Sequence, residues 1–176
     1  LDLGSPIISD QKVNEVATFN FRILQQEDNM RMAEIIRSAL KERGVDKPGT
    51  VFTDPTTDDL FALFQSFNSR YIVAEENGRI VGGSGVFPTT GLPEKCAELV
   101  KLYVDQNYRN QGIGIELMKR CEGIAREMGY SQLYLETLPE LERACSLYER
   151  MGYRKLSSPL GDSGHFACSL WMLKNL

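Results

Sequence analysis

Apolar and polar positions along this chain follow two periods, and the switches between them outline its elements. Residues 19–24 alternate with a period of two, the mark of a half-buried strand. Met32, Ile35, Ile36, Ala39 and Leu40 then recur at helical spacing, after a potential cap at Asp28 and before a stop at Gly44. Asp46-Lys47-Pro48-Gly49 reads as a turn, and Thr57 or Asp58 can cap a second short helix to about Phe67. Residues 71–75 and 80–87 are strand-like, with the hairpin dipeptide Asn77-Gly78 between them. Gly82, Gly83 and Gly85 interrupt the second of these strands, which predicts a bulge or the close approach of another group. A loop over residues 88–93 follows.

Residues 97–105 form the next strand. Simple alternation puts Glu98, Val100, Leu102 and Val104 on one face and Leu99, Lys101 and Tyr103 on the other. A helix from about Gly112 to Met128 carries the stripe Ile113, Leu117, Cys121, Ile124 and Met128, and Gly129 ends it. Residues 131–137 are a strand. Pro139 opens a helix to about Met151, stopped by Gly152, and residues 153–156 and 165–173 are closing strands. The order of elements predicts a mixed α/β, that is α+β, domain over residues 18–176. Residues 1–17 read as an N-terminal arm, docked through Ile7, Ile8, Val13 and Val16.

Composition narrows the function classes. The chain has 176 residues, within the range of one domain, and its longest unbroken apolar run is Leu60-Phe61-Ala62-Leu63-Phe64. A bilayer span needs about 20 apolar residues, so a transmembrane helix is not expected. The net charge of −4 argues against sequence-independent nucleic-acid binding, which needs a basic field. Cys96, Cys121, Cys145 and Cys168 form no C-x-x-C pair, and His165 is the single histidine, so neither a zinc site nor any other metal is expected. No charged segment followed by an apolar one opens the chain, which points to a cytoplasmic protein with free thiols.

The chemistry-bearing segment runs Val104-Asp105-Gln106-Asn107-Tyr108-Arg109-Asn110-Gln111-Gly112-Ile113-Gly114. A strand ends, a polar loop follows, and two glycines open a helix. Such a junction leaves backbone N–H groups unpaired at the positive end of the helix dipole, an anion site suited to a phosphate. Glycines let the ligand approach the backbone, and Arg109 could add a charged contact. The letters fit neither a Walker A loop, because Ile115-Glu116 follow Gly114, nor a dinucleotide fingerprint, because Leu117 takes the third small position.

Arg109-Asn110-Gln111-Gly112-Ile113-Gly114 resembles the R/Q-x-x-G-x-G/A motif of the GCN5-related N-acetyltransferases (GNAT). The likeness extends to the preceding strand, to Leu133-Tyr134-Leu135-Glu136-Thr137, and to residues 144–153, which are similar to the family's A-x-x-L-Y-E-x-x-G-F signature. Two positions depart from the pattern: Leu141 stands where many members have a cofactor-contacting Asn, and Gln106 replaces a frequent Pro.

The resemblance implies a mostly antiparallel sheet of about seven strands, splayed between the fourth and fifth and flanked by four helices. It implies direct acetyl transfer from acetyl-CoA to a primary amine of a small molecule or protein, without a covalent enzyme intermediate. The pyrophosphate would sit on the N–H groups of Arg109, Asn110, Gln111, Gly112, Ile113 and Gly114. The pantetheine would run beside Leu102, Tyr103 and Val104, and a backbone N–H near Tyr103 or Val104 would receive the thioester oxygen. Tyr148 is the expected general acid and Glu98 the expected base, with Glu136 a second candidate and water a third. Lys101 and Tyr103, with Phe52 and Tyr71 as further candidates, would line the acceptor side. Cys145 is expected to pack without reacting and His165 to be structural. A homodimer is compatible with the resemblance. A non-catalytic CoA-binding domain of the same fold is the competing reading.

Overall fold

A computed structural model of the chain describes residues 18–176; the expected arm lies outside them. The strands are β1 (Asn20–Ile23), β2 (Arg70–Glu76), β3 (Arg79–Phe87), β4 (Cys96–Val104), β5 (Gln132–Thr137), β6 (Arg154–Leu156) and β7 (Leu170–Asn175). The helices are α1 (Asn29–Glu42), α2 (Leu60–Leu63), α3 (Ile113–Glu127) and α4 (Glu142–Arg150). One seven-stranded sheet runs in the order β1-β2-β3-β4-β5-β7-β6. Only β4 and β5 pair in parallel. Period-two alternation sorts most of the sheet's side chains into two larger cores, beside a small cluster of Cys96, Tyr134 and Leu173. Ile72, Ala74, Val81 and Val86 meet Ile113, Leu117, Met118 and Cys121 of α3. Tyr71, Val73 and Ile80 meet Met32, Ile35, Ile36 and Leu40 of α1. The sheet is thus covered on both faces, which each amphipathic helix needs in order to bury its stripe.

Several local expectations shift by a few residues, each for a visible reason. Asp28 does precede α1, but its carboxylate does not cap it. Both oxygens accept from Arg22 at 2.7 and 2.9 Å, and one also accepts from the Gln25 N–H at 2.8 Å. The second helix is shorter than expected: a 3-10 turn at Pro55–Asp58 is capped by Asp54, and α2 by Asp59. Thr57 is buried with its hydroxyl donated to the Val51 carbonyl, and Asp58 is forked onto Arg37, so neither is free to cap. α4 begins at Glu142 rather than Pro139, after a turn closed by the Leu141 N–H on the Leu138 carbonyl. β7 begins at Leu170. Upstream, the Asp162 and Ala167 N–H groups bond the Thr90 and Gly49 carbonyls, so residues 157–169 run as a loop tied to neighbouring loops instead of a ladder.

Two features of β4 position the site. It pairs with β5 only at Cys96↔Gln132, Ala97↔Leu133 and Glu98↔Tyr134, after which the strands part. Its register with β3 also slips between Gly83 and Gly85, opposite Lys101, whose φ is +50°. A lysine in that left-handed region is strained, and such strain persists only where surroundings hold it. The Tyr71 hydroxyl donates to the Lys101 carbonyl at 2.8 Å. The Tyr71 ring lies across β3, where a Cβ on Gly83 would come within 2.5 Å of it and one on Gly85 within 2.7 Å. The glycine interruption seen in the sequence is therefore a seat for the ring that braces the bulge.

Candidate active site

The parting of β4 from β5 opens a cleft of about 810 Å³, in the size range of sites for extended ligands. β4 from Glu98 to Val104 forms one wall, and Glu136–Leu138 and α4 form the other. The start of α3 closes one end. Leu102, Tyr103, Val104, Arg109, Asn110, Gly112, Ile113 and Gly114 line it, whereas Gln111 does not.

The strand-to-helix loop is shaped by two left-handed residues, Asn110 (φ +63°) and Gly112 (φ +81°). No side chain caps α3, so its first-turn N–H groups are left for a ligand. Gly114 has ordinary dihedrals, and a Cβ there would meet no protein atom nearer than Leu147 at 3.5 Å. The room its missing side chain leaves is therefore on the cleft side, as a backbone-bound phosphate requires. Arg109 lines the cleft with its side chain already engaged. Its guanidinium is forked onto Glu42 at 2.8 and 3.0 Å and donates to the Val104 carbonyl at 3.1 Å. It fastens the loop to α1 and β4 instead of standing free. Arg143 and Arg150 on α4, exposed at the cleft, carry cations the sequence did not single out.

The bulge corrects the expected facing of β4. Ala97 and Leu99 pack on the α3 side before Lys101, and Leu102 and Val104 do so after it, while Tyr103 packs on the α1 side. Glu98 therefore shares its face with Lys101 and Tyr103, not with Leu102 and Val104. The Asp105 N–H donates to Val81 at 2.8 Å, so strand alternation turns the Val104 N–H towards the cleft.

Glu98 is 4% exposed. Burial pushes its carboxyl up to about 7; the Thr89 hydroxyl, which it accepts, opposes this, Glu136 adds to it, and His165 and Lys101 counter it. Its Oε1 has no partner among the described residues, yet is not sealed in, and opens on the cavity. Glu136 is occupied: Oε1 accepts from Tyr134 at 2.8 Å and Oε2 from Ser163 at 2.5 Å. Tyr148 lines the cleft from α4, buried, with its hydroxyl unpartnered among the described residues. Burial, then Cys145 and Cys168, push its pKa above the usual phenol value, so it stays protonated. Leu141 sits at the start of α4 in the same wall.

A smaller chamber of about 450 Å³ adjoins the cleft, sharing Thr50, Glu98, Val100, Lys101 and His165 with it. Its walls include Gly49, Thr50, residues 53–56, Thr89 and Thr90, and the 162–166 loop. Asp54 stands between Lys101 and His165: Oδ2 accepts from Lys101 Nζ and pairs with His165 Nε2, each at 2.9 Å. Burial opposes ionisation of Asp54, but His165, Lys101 and Thr56 hold it well below the ordinary carboxylate range. Phe52 and Tyr71 line neither cavity. Phe52 packs under Lys41, and Tyr71 braces the bulge. Asp54, Thr89 and Ser163 were missed by sequence reasoning, because each lies among other polar loop residues with no motif to single it out. Among the described residues no His, Cys, Asp and Glu side chains cluster to hold a metal ion, and no helix is long and apolar enough to cross a membrane.

The model of the acetyltransferase (GNAT) family matches residues 33–153. The uncharacterized N-acetyltransferase YjgM of Escherichia coli K12 is 37% identical over 157 residues, covering 88% of this chain and 93% of its own. A GNAT-family acetyltransferase of Staphylococcus aureus Mu50 superposes with a TM-score of 0.79 at 21% identity, over 90% of this chain and 99% of its own. The acetyltransferase YncA of Salmonella typhimurium, solved with its cofactor acetyl-CoA, gives 0.70 at 18% identity, over 89% and 93%. At these identities the two structures speak for the fold alone. The family model and the bacterial relative, each spanning most of the chain, go further: the chain belongs to the GNAT family of acetyltransferases.

Proposed function

We propose that the protein transfers an acetyl group directly from acetyl-CoA, held in the cleft, to an amine presented from the smaller chamber. The observation that carries this reading is the meeting of the two cavities at Glu98, with an unpartnered phenol, Tyr148, in the wall of the larger one. The first-turn N–H groups of α3 hold the pyrophosphate. The Val104 N–H donates to the thioester carbonyl and steadies the charge that grows there as the amine attacks. Glu98 takes the proton the ammonium must lose before attack; a carboxyl raised to about 7 suits that task near neutral pH. Tyr148 protonates the departing thiolate, whose own pKa is about 8.5. Covalent transfer through cysteine is disfavoured, since burial pushes the Cys168 thiol up to about 12 and also raises Cys145. The chamber's size favours a small-molecule amine. Free thiols among the described residues and an acyl-CoA donor suit a cytoplasmic enzyme.

Two measurements test the reading. Acetyl-CoA at 100 times its Kd should stabilise the protein by about 2.7 kcal/mol, a shift of roughly 5–10 °C, which ATP and NAD should not match. With an amine acceptor, kcat/KM should rise with pH through about 7, and Glu98→Gln should abolish that limb. A wild-type profile flat from pH 6 to 8 would remove Glu98 as the base.

A further inference from the structure

The smaller chamber is polar in a particular way, and counting its hydrogen bonds shows which charges it can still receive. Asp54 has no capacity left. Oδ2 accepts from Lys101 and His165, and Oδ1 from the Thr56 N–H at 2.9 Å and the Thr56 hydroxyl at 2.7 Å. That fills the four lone-pair sites of a carboxylate. Glu136 accepts one bond on each oxygen, from Tyr134 and from Ser163, and lines only the cleft. Lys101 differs. Its side chain is 3% exposed, and its ammonium has three donors, of which Asp54 takes one at 2.9 Å and Thr57 a second at 3.1 Å. The third has no acceptor among the described residues. The bulge brings Lys101 to the same face as Glu98, and both line the two cavities. Among the described residues the shared wall therefore offers an open acceptor, Glu98 Oε1, and an open buried donor, Lys101 Nζ, with His165 Nδ1 beside them also without a partner. Around them Leu63, Phe87 and Phe166 supply apolar surface.

Resting on the acetyl-transfer reading above, we infer that the acceptor is an amino acid, its amine met by Glu98 and its carboxylate by the free N–H of Lys101. A diamine or polyamine would bring a second cation to Lys101 and leave the buried donor unmatched. An amino-acid amide would offer only a neutral oxygen there. Lys101 is thus a specificity-determining residue, and the strained backbone at its position is the device that turns it inward.

The test compares the common amino acids with their α-amides and with 1,4-diaminobutane as acceptors, under saturating acetyl-CoA. At least one acid should exceed its amide in kcat/KM by about 10- to 100-fold, the size of one charge-assisted hydrogen bond. In Lys101→Met that ratio should fall towards one. Should this variant fail to fold, N-acetyl-L-phenylalanine should still bind the wild type more tightly than N-acetyl-L-phenylalaninamide. Amides or the diamine acetylated as well as the acids would overturn the carboxylate assignment and leave acetyl transfer standing. No turnover of any of these acceptors, with stabilisation by acetyl-CoA intact, would overturn the acceptor class alone. Loss of that stabilisation as well would remove the transfer reading itself.

Discussion

The cleft and the chamber are built on different principles although they share a wall. The cleft is made largely of backbone: an uncapped helix start, a strand edge freed by the splay, and a glycine with open space beside it. The chamber is made of side chains from loops distant in sequence, with Asp54 and His165 meeting across 111 positions. A donor common to many enzymes can be held by backbone geometry, which tolerates change in the surrounding side chains. An acceptor that differs between enzymes needs side chains that can be exchanged without disturbing the frame. The difference teaches that the donor half speaks for the family and the acceptor half for the individual protein.

The largest effect that would sharpen this contrast belongs to the residues at the junction. Tyr148→Phe should lower kcat by about 10²–10⁴-fold while leaving acetyl-CoA binding intact, read by steady-state kinetics beside a thermal titration. A CoA-binding domain without turnover would show no wild-type rate to lose. Glu98→Gln should cost a rate factor of similar size near pH 7, yet stabilise the fold in alkali. The folded carboxyl titrates near 7 and the unfolded one near 4.5, so wild-type stability falls as pH rises between those values and levels off above. Removing that ionisation should make the variant more stable than the wild type at pH 8 by up to roughly 3 kcal/mol, with no such gain at pH 4. Denaturant unfolding at the two pH values reads the difference.

Smaller effects probe the backbone-built side. Gly114→Ala adds a methyl where the protein has room and replaces a helical glycine. The free protein should gain up to about 1 kcal/mol while acetyl-CoA affinity drops, a split visible by calorimetry. Unchanged affinity would mean that the space beside Gly114 is not used by the donor. Glu42→Gln should do least. The Arg109–Glu42 pair is partly exposed and worth less than about 1 kcal/mol, so a large loss of donor binding would show that this fork matters to the loop more than its exposure suggests.

The donor half was legible because its signals are local. Residues 104–114 hold strand end, loop, glycines and helix start in one stretch, and Tyr148 falls within a contiguous signature. Where reading by period went astray, a long-range contact had redirected a local preference. Asp28 is taken by Arg22 and Asp58 by Arg37, and Tyr71 fixes a bulge that reverses the facing of β4 beyond Lys101. Alternation assumes one residue per pleat, and a single extra residue moves every later side chain to the other face.

The sequence by itself determined the order of the elements, the hairpin at Asn77-Gly78, the uncapped opening of α3, and the family, since each rests on neighbours along the chain. Only the tertiary structure decided that Glu98 and Lys101 face one chamber, that Asp54 is filled while Lys101 keeps a free donor, and that Arg109 serves Glu42. The physical reason is that hydrogen-bond capacity and burial belong to places in space, where residues remote in the chain compete for the same few atoms.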